Sequence, residues 1–298
     1  MDRRKFIYNS SVASLSVLGL NSCNKITEET TVTILHTNDV HSQIDPFPNN
    51  HNRFPGKGGF ARIAGLIKNI KDNNPNTLIF DAGDIFQGTP YFNFYHGALE
   101  LRLMKKMGYN ASTIGNHEFD AGLSRLRENI IDSNFEFICS NYDFTNTELD
   151  GITKNYNIYE RSGIKIGVFG LGIELKGLVN PNLYKETKYI DPIEVSDDMV
   201  RFLKKEEKCD LIICVSHLGH YYDSGKISDI KLAKITSGID LIIGGHTHTF
   251  LEKPEIIRNK DGKNVIINQV GTRGVYMGKI DFSFTNLDKK ATDSLLEV

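Results

Sequence analysis

Short apolar runs rich in β-branched residues recur along most of the chain, and amphipathic stretches separate several of them. The runs cover residues 32–35, 77–80, 111–114, 135–139, 164–169, 210–215, 240–243, 264–270 and 279–284. Between them, Ile63, Ile67 and Ile70 recur at helical spacing within 60–70, and segments 98–107, 123–131, 195–207 and 227–237 behave similarly. Alternation of this kind predicts an α/β architecture with layered sheet and helices. No internal repeat or long low-complexity tract interrupts it. No linker divides 32–286, so one domain is the simpler reading. A chain of 298 residues that is 40% hydrophobic can bury a sizeable core. Its formal charge of −2 argues against a dedicated nucleic-acid binder, which is usually basic.

The first residues read as an address. Arg3, Arg4 and Lys5 precede mostly apolar or small residues from Ser11 to Leu20. That is the layout of a secretory signal peptide, and the run is shorter than the roughly 20 residues a spanning helix needs. Arg3-Arg4-Lys5-Phe6 resembles a twin-arginine signal, with Asp2 where Ser or Thr is usual. Leu20-Asn21-Ser22-Cys23 resembles a bacterial lipobox, which implies cleavage before Cys23 and lipidation of its thiol. A plain signal peptide with a chance cysteine is the alternative. The expected organisation is a signal peptide at 1–22, a lipidated cysteine and tether at 23–31, a domain at 32–286 and a fraying polar tail at 287–298. Such a chain is exported to the periplasm or cell surface and attached to the membrane through Cys23.

Cysteine chemistry is otherwise quiet. Cys139 and Cys214 lie in apolar runs and read as buried thiols. Cys209 and Cys214 on one extended strand would stand roughly 16 Å apart, too far for a disulfide. No C-x-x-C pair is present, which argues against a sulfur-based metal site.

Acids and histidines fall directly after the apolar runs, where sites collect in open α/β sheets. Asp39 and His41, two apart, point the same way in an extended segment. Asp84 follows Gly83 in a tight turn and has two oxygens with which to bridge two cations; Asp81 is its rival, and an ordinary turn aspartate is the plain reading. Asn116 offers a carbonyl oxygen and His117 a proton donor. Asp120 either serves the site or caps the helical pattern behind it. His217 follows another run, and Gly244-Gly245 precede His246 and His248, again two apart. His36, His51, His96 and His220 read as non-catalytic. Tyr91, Phe92, Phe94 and Tyr95 read as packing residues rather than as a lining of the site entrance.

Taken in order, Asp39-x-His41, Gly83-Asp84-x-x-x-Gly88, Gly115-Asn116-His117-Glu118, Ser216-His217 and Gly245-His246-Thr247-His248 resemble the calcineurin-like metallophosphoesterases. Leu35-His36-Thr37-Asn38-Asp39-Val40-His41 looks like the 5′-nucleotidase branch, and residues 268–271 and 278–281 look like the closing strands of its catalytic domain. The resemblance spans about residues 32–284.

It implies a metallophosphoesterase fold, a four-layer αββα sandwich with two mixed β-sheets. It implies one metal at Asp39, His41, Asp84 and His248, and a second at Asp84, Asn116, His217 and His246. Imidazoles suit zinc or iron, and the oxygen ligands also admit manganese. The implied reaction is hydrolysis of a nucleotide phosphoester by a metal-activated hydroxide. Asn116 and His117 would bind phosphate, and His117, oriented by Asp120, would stabilise the transition state or protonate the leaving group. Nucleoside 5′-monophosphates are the leading substrates, with 2′,3′-cyclic nucleotides or UDP-sugars as alternatives. Full-length relatives carry a C-terminal substrate domain beyond this point, which leaves three alternatives: a separate partner chain supplies it, the enzyme acts on simpler phosphoesters with weak discrimination, or the chain is no longer an efficient enzyme. A non-catalytic metal-binding lipoprotein is the reading from another class.

Overall fold

The computed structural model describes residues 29–285 and 288–298. The predicted signal peptide, Cys23 and most of the tether lie outside the described residues.

Two mixed sheets face each other. The first runs β13-β12-β1-β2-β3, with β1 (Thr30–Thr37), β2 (Thr77–Asp81), β3 (Ala111–Ser112), β12 (Tyr276–Phe284) and β13 (Lys289–Glu297). Strands β1, β2 and β3 are parallel, and β12 and β13 antiparallel to their neighbours. The second runs β10-β11-β9-β8-β6-β5, with β5 (Tyr156–Arg161), β6 (Ile164–Leu171), β8 (Leu211–Ser216), β9 (Leu241–Gly244), β10 (Glu255–Arg258) and β11 (Asn264–Asn268). A small ribbon pairs β4 (Tyr142–Asp143) with β7 (Lys188–Tyr189).

Side-chain alternation along the strands builds three cores and hence four layers. Val32, Ile34, Leu78 and Phe80 meet Ile166, Val168, Ile213, Val215 and Ile243 between the sheets. On the outer face of the first sheet, Leu35 and Ile79 pack under α1 (Phe60–Asn73), α3 (Ala98–Met107) and α4 (Gly122–Ser133), through Ile63, Ile67, Leu101, Met104, Leu123 and Leu126. On the outer face of the second, Ile212, Cys214 and Ile242 pack under α6 (Pro192–Lys205) and α7 (Asp229–Ile235), through Met199, Leu203 and Leu232. A slip of one residue in β8 would exchange the two cores it serves. The short helices α2 (Pro90–Tyr95) and α5 (Pro181–Tyr184) complete the elements.

Several expectations change. Strand β1 begins at Thr30, inside the expected tether, because Thr30 and Thr31 pair with Phe284 and Ser283. The expected polar tail is strand β13, paired with β12 along its whole length. Val298 is buried; its carbonyl accepts from Gly58 N and its amide donates to Val275 O. Segment 135–139 forms only isolated bridges, because its backbone hydrogen bonds are divided between Ser112 and Lys154, with Ser140 N donating to Gly170 O just beyond.

Candidate metal centre

The carboxyl ends of β1, β2 and β3 in one sheet face those of β8 and β9 in the other, and the five expected ligand blocks leave from those ends. The loops are stitched together. Asp39 N donates to Gly83 O and His41 N to Asp84 O, both at 3.0 Å, so the segment after β1 runs along the segment after β2. Across the sandwich, His246 N donates to Asp39 Oδ2 at 3.0 Å. Gly83 and Gly115 pack too closely for side chains: a Cβ on Gly83 would lie 2.6 Å from Gly115 N and 2.9 Å from His217 Nδ1.

The expectation of extended i, i+2 pairs is corrected. Asp39 (φ 50°), His41 (φ 46°), Asp84 (φ 54°), His246 (φ 72°) and His248 (φ 51°) all adopt left-handed backbone. Each such non-glycine residue costs about 1 kcal/mol or more, so the surrounding packing must hold it. The pairs converge because the chain turns back on itself at each member.

Three groups of donor atoms result, each with its atoms within 4.8 Å of one another: Asp39, His41 and His248; His41, Asp84 and His117; Asp84, His217 and His246. His41 Nε2 lies 2.9 Å from His248 Nε2, and His248 Nε2 3.3 Å from Asp39 Oδ1. His217 Nε2 lies 3.1 Å from Asp84 Oδ2 without the alignment of a hydrogen bond. Asn116 Oδ1 stands 2.8 Å from His246 Nδ1. Asp84 therefore joins two groups. Its rival Asp81 turns away to accept from Thr37 Oγ1 at 2.6 Å and from Gly83 N at 3.0 Å.

The donor set fits divalent cations. His41 Nδ1 faces Phe86 O at 3.2 Å and His217 Nδ1 faces Ala82 O at 2.6 Å. A carbonyl only accepts, so both Nδ1 atoms carry hydrogens and both Nε2 lone pairs point into the cluster. Two carboxylates share the same space. Burial pushes the Asp84 carboxyl up, but His217, His117 and His41 outweigh it and hold the group well below the usual range. Burial would lower His217, yet Asp84 and Asp39 raise it to about 10. A proton and a cation thus compete for the same lone pair. His246 is lowered to about 4 by burial and by His217.

His117 stands in a tight turn at the edge of the cluster, with Nδ1 2.7 Å from Asp120 Oδ2. Burial would lower its pKa, but Asp120 and Asp84 raise it. Asp120 does not cap α4, whose N-cap is Ala121 with no side-chain bond. The other four histidines stand apart. His36 is buried between the sheets against Asn268, His220 faces Glu255 at 3.3 Å, His51 accepts from Phe54 N, and His96 ends α2. The aromatic cluster splits: Phe92 packs on Phe86, Tyr91 Oη donates to Asp45, and Phe94 is 79% exposed.

The sequence profile of the calcineurin-like phosphoesterases matches residues 32–250, which include all five ligand blocks. The chain belongs to that family. It is similar to 5′-nucleotidases. It is 30% identical over 294 residues to the trifunctional nucleotide phosphoesterase protein YfkN of Bacillus subtilis, covering 88% of this chain and 19% of that one. It is 31% identical over 275 residues to the 5′-nucleotidase of Vibrio cholerae, covering 86% and 49%. The crystal structure of a 5′-nucleotidase precursor from Thermus thermophilus superposes with a TM-score of 0.78 at 29% identity, covering 90% of this chain and 55% of that one. The chain thus spans a fifth to about half of these relatives.

This family member holds its ligand loops with polar residues to which the spacing of the blocks assigns no role. Glu118 is fully buried and accepts from Asp84 N (2.9 Å), Ile85 N (2.7 Å), Phe86 N (3.4 Å) and Gly115 N (2.6 Å). Burial and the nearby Asp84 push it up to about 7. Asn38 donates to Asp39 Oδ2 and to Gly271 O. Gln269 donates to Gly245 O and accepts from Thr249 N, framing His246 and His248. Arg273 donates to His41 O and Gly88 O. Glu118, Asn38 and Gln269 all lie inside recognised blocks, which was the available signal.

Proposed function

We propose that this phosphoesterase releases phosphate from nucleoside 5′-monophosphates or related nucleotides and uses two divalent ions of zinc, manganese or iron. The membership of Asp84 in two donor groups, with the His117–Asp120 pair alongside, carries this reading. On it, Asp39, His41, Asp84 and His248 hold one ion, and Asp84, Asn116, His217 and His246 the other. Such a pair of ions supplies an activated water and neutralises phosphoryl charge. Asn116 and His117 position the phosphate oxygens. Asp120 fixes the ring of His117 and keeps it protonated toward higher pH, so His117 can donate to the leaving oxygen. The similarity to proteins named as a nucleotide phosphoesterase and a 5′-nucleotidase supports the substrate class. The sequence of residues 1–23 supports export, with Cys23 as the point of membrane attachment.

The test is phosphate release by purified residues 24–298, with manganese or zinc, from nucleoside monophosphates, cyclic nucleotides, UDP-sugars and an aryl phosphate. Release from monophosphates that chelator abolishes is the expected result. No release from any substrate by protein with metal bound would overturn the reading.

A further inference from the structure

A cleft of about 350 Å³ opens between the loop that leaves β6 and the start of α6. Glu174, Tyr189, Asp191 and Lys226 line it, with Pro192 and Ile227 as apolar wall. These polar groups are underused. Glu174 has no hydrogen-bond partner among the described residues. The Tyr189 hydroxyl is unpartnered and buried behind the cleft surface. Asp191 commits Oδ1 to Ile193 N at 2.7 Å, capping α6, and leaves its other oxygen free.

Tyr222 links the cleft to the loops of the metal centre. Lys226 Nζ lies 5.3 Å from the centre of the Tyr222 ring. Tyr222 Oη donates to Leu218 O, one residue past His217. A side chain at Gly219 would strike both that hydroxyl and the Thr247 methyl, so Tyr222 is wedged between the loops that carry His217 and His246. The Lys226 charge is felt at His246.

The lining selects among ligands. An apolar occupant would desolvate two carboxylates and an ammonium without replacing their hydrogen bonds. An anion would meet Glu174 and Asp191, and a cation would meet Lys226. A neutral group with several hydroxyls satisfies all the charged groups, because the carboxylates accept its hydrogens while Lys226 donates to its oxygens.

We propose that this cleft is a subsite for a hydroxyl-rich, sugar-like part of the substrate, held by Glu174 and Asp191. The inference rests on the hydrolytic reading above, with phosphate seated among the ligand loops and the alcohol side extending past Tyr222.

Ribose 5-phosphate and phenyl phosphate separate the two ideas. Both offer a phosphate monoester, and only the first offers a polyol. The variant is Glu174→Ala combined with Asp191→Asn; Asn caps a helix as well as Asp does, so α6 keeps its start. With manganese-loaded protein, KM for ribose 5-phosphate should rise about tenfold, the loss expected for hydrogen bonds to charged acceptors. Turnover, metal content and all constants for phenyl phosphate should stay within about twofold. Equal changes for both substrates, or none for either, would overturn the subsite and leave the hydrolase reading intact. If the unaltered protein cleaves neither, the hydrolase reading fails. Saturation-transfer NMR on ribose 5-phosphate then decides the cleft alone: signal lost in the double variant upholds it, and signal unchanged or absent throughout rejects it.

Discussion

Glu118 sits beneath Asp84 and accepts its amide hydrogen at 2.9 Å. One buried carboxylate thereby fixes the turn that presents the carboxylate shared by two donor groups. The same side chain takes the amides of Ile85, Phe86 and Gly115, so it sets the spacing between the loops after β2 and β3.

Replacing it tests that arrangement. Glu118→Gln puts a donor where an acceptor is needed and leaves buried N–H groups unpaired. The expected loss of stability is about 2–4 kcal/mol. Metal affinity should fall roughly 10–100-fold, as for other groups that orient ligands. Urea denaturation and metal titration read the two effects. Unchanged metal affinity would mean that the Asp84 turn holds its shape unaided.

His117→Asn should reduce turnover by roughly 10²–10⁴-fold and leave metal content nearly unchanged. Asp120→Asn should cost less and move the alkaline limb of the rate profile to lower pH. The sign follows from the pair: Asp120 raises the His117 pKa, so its removal releases the proton earlier. A bound metal lost on His117→Asn would make His117 a ligand instead.

Asp84→Asn should cost more metal than Asp39→Asn, because Asp84 serves two donor groups and Asp39 one. Elemental analysis after dialysis checks this. Chelation of the unaltered protein should lower its melting temperature, since an ion at about 1,000 times its Kd contributes about 4 kcal/mol to the folded state.

His36 gives the fold an acid sensitivity of its own. It is fully buried between the sheets, where Asn268 Nδ2 donates to its Nε2 at 3.0 Å, and burial lowers its pKa to about 3 from 6.5. The unfolded chain takes up a proton below about 6.5 and the folded chain does not until far lower. The stability that His36 contributes is therefore complete above 6.5 and declines as pH falls from 6.5 towards 3, at about 1.4 kcal/mol per unit at most. With chelator present, His36→Gln should be less stable at pH 8 yet show a shallower decline between pH 6 and 4. Parallel curves would assign the acid sensitivity elsewhere.

Removing residues 288–298 should destabilise the domain and promote association. Strand β13 covers the edge of β12, and its loss bares the unpaired backbone of a nine-residue strand. Size-exclusion chromatography and thermal melts check this; a monomeric, equally stable truncation would show that the pairing contributes little.

The sequence reading went furthest where local chemistry repeats. Nearly every buried strand next to the centre announces itself as an apolar run, since parallel strands covered on both faces need apolar side chains on both. Strand β13 does not, because most of its side chains are exposed at a sheet edge and carry no periodic signal. Segment 135–139 misleads for the opposite reason: it is buried and apolar, yet its hydrogen bonds go to several partners. At the centre, Asp39, Asp84, His217 and their companions were visible by type and order. The left-handed backbone of Asp39, His41, Asp84, His246 and His248 was not, because it is imposed by Gly83 O, Glu118 and Gln269, which reach them from other parts of the chain.

The two sheets contribute unlike halves of the centre. Loops after β1, β2 and β3 bring Asp39, His41, Asp84 and Asn116; loops after β8 and β9 bring His217, His246 and His248. On the proposed partition, both ions are clamped from opposite walls of the sandwich. A cobalt ion in either place would then act as a ruler inside the protein. Its visible absorption would change when one wall slid against the other, long before helix content or tyrosine fluorescence registered any motion.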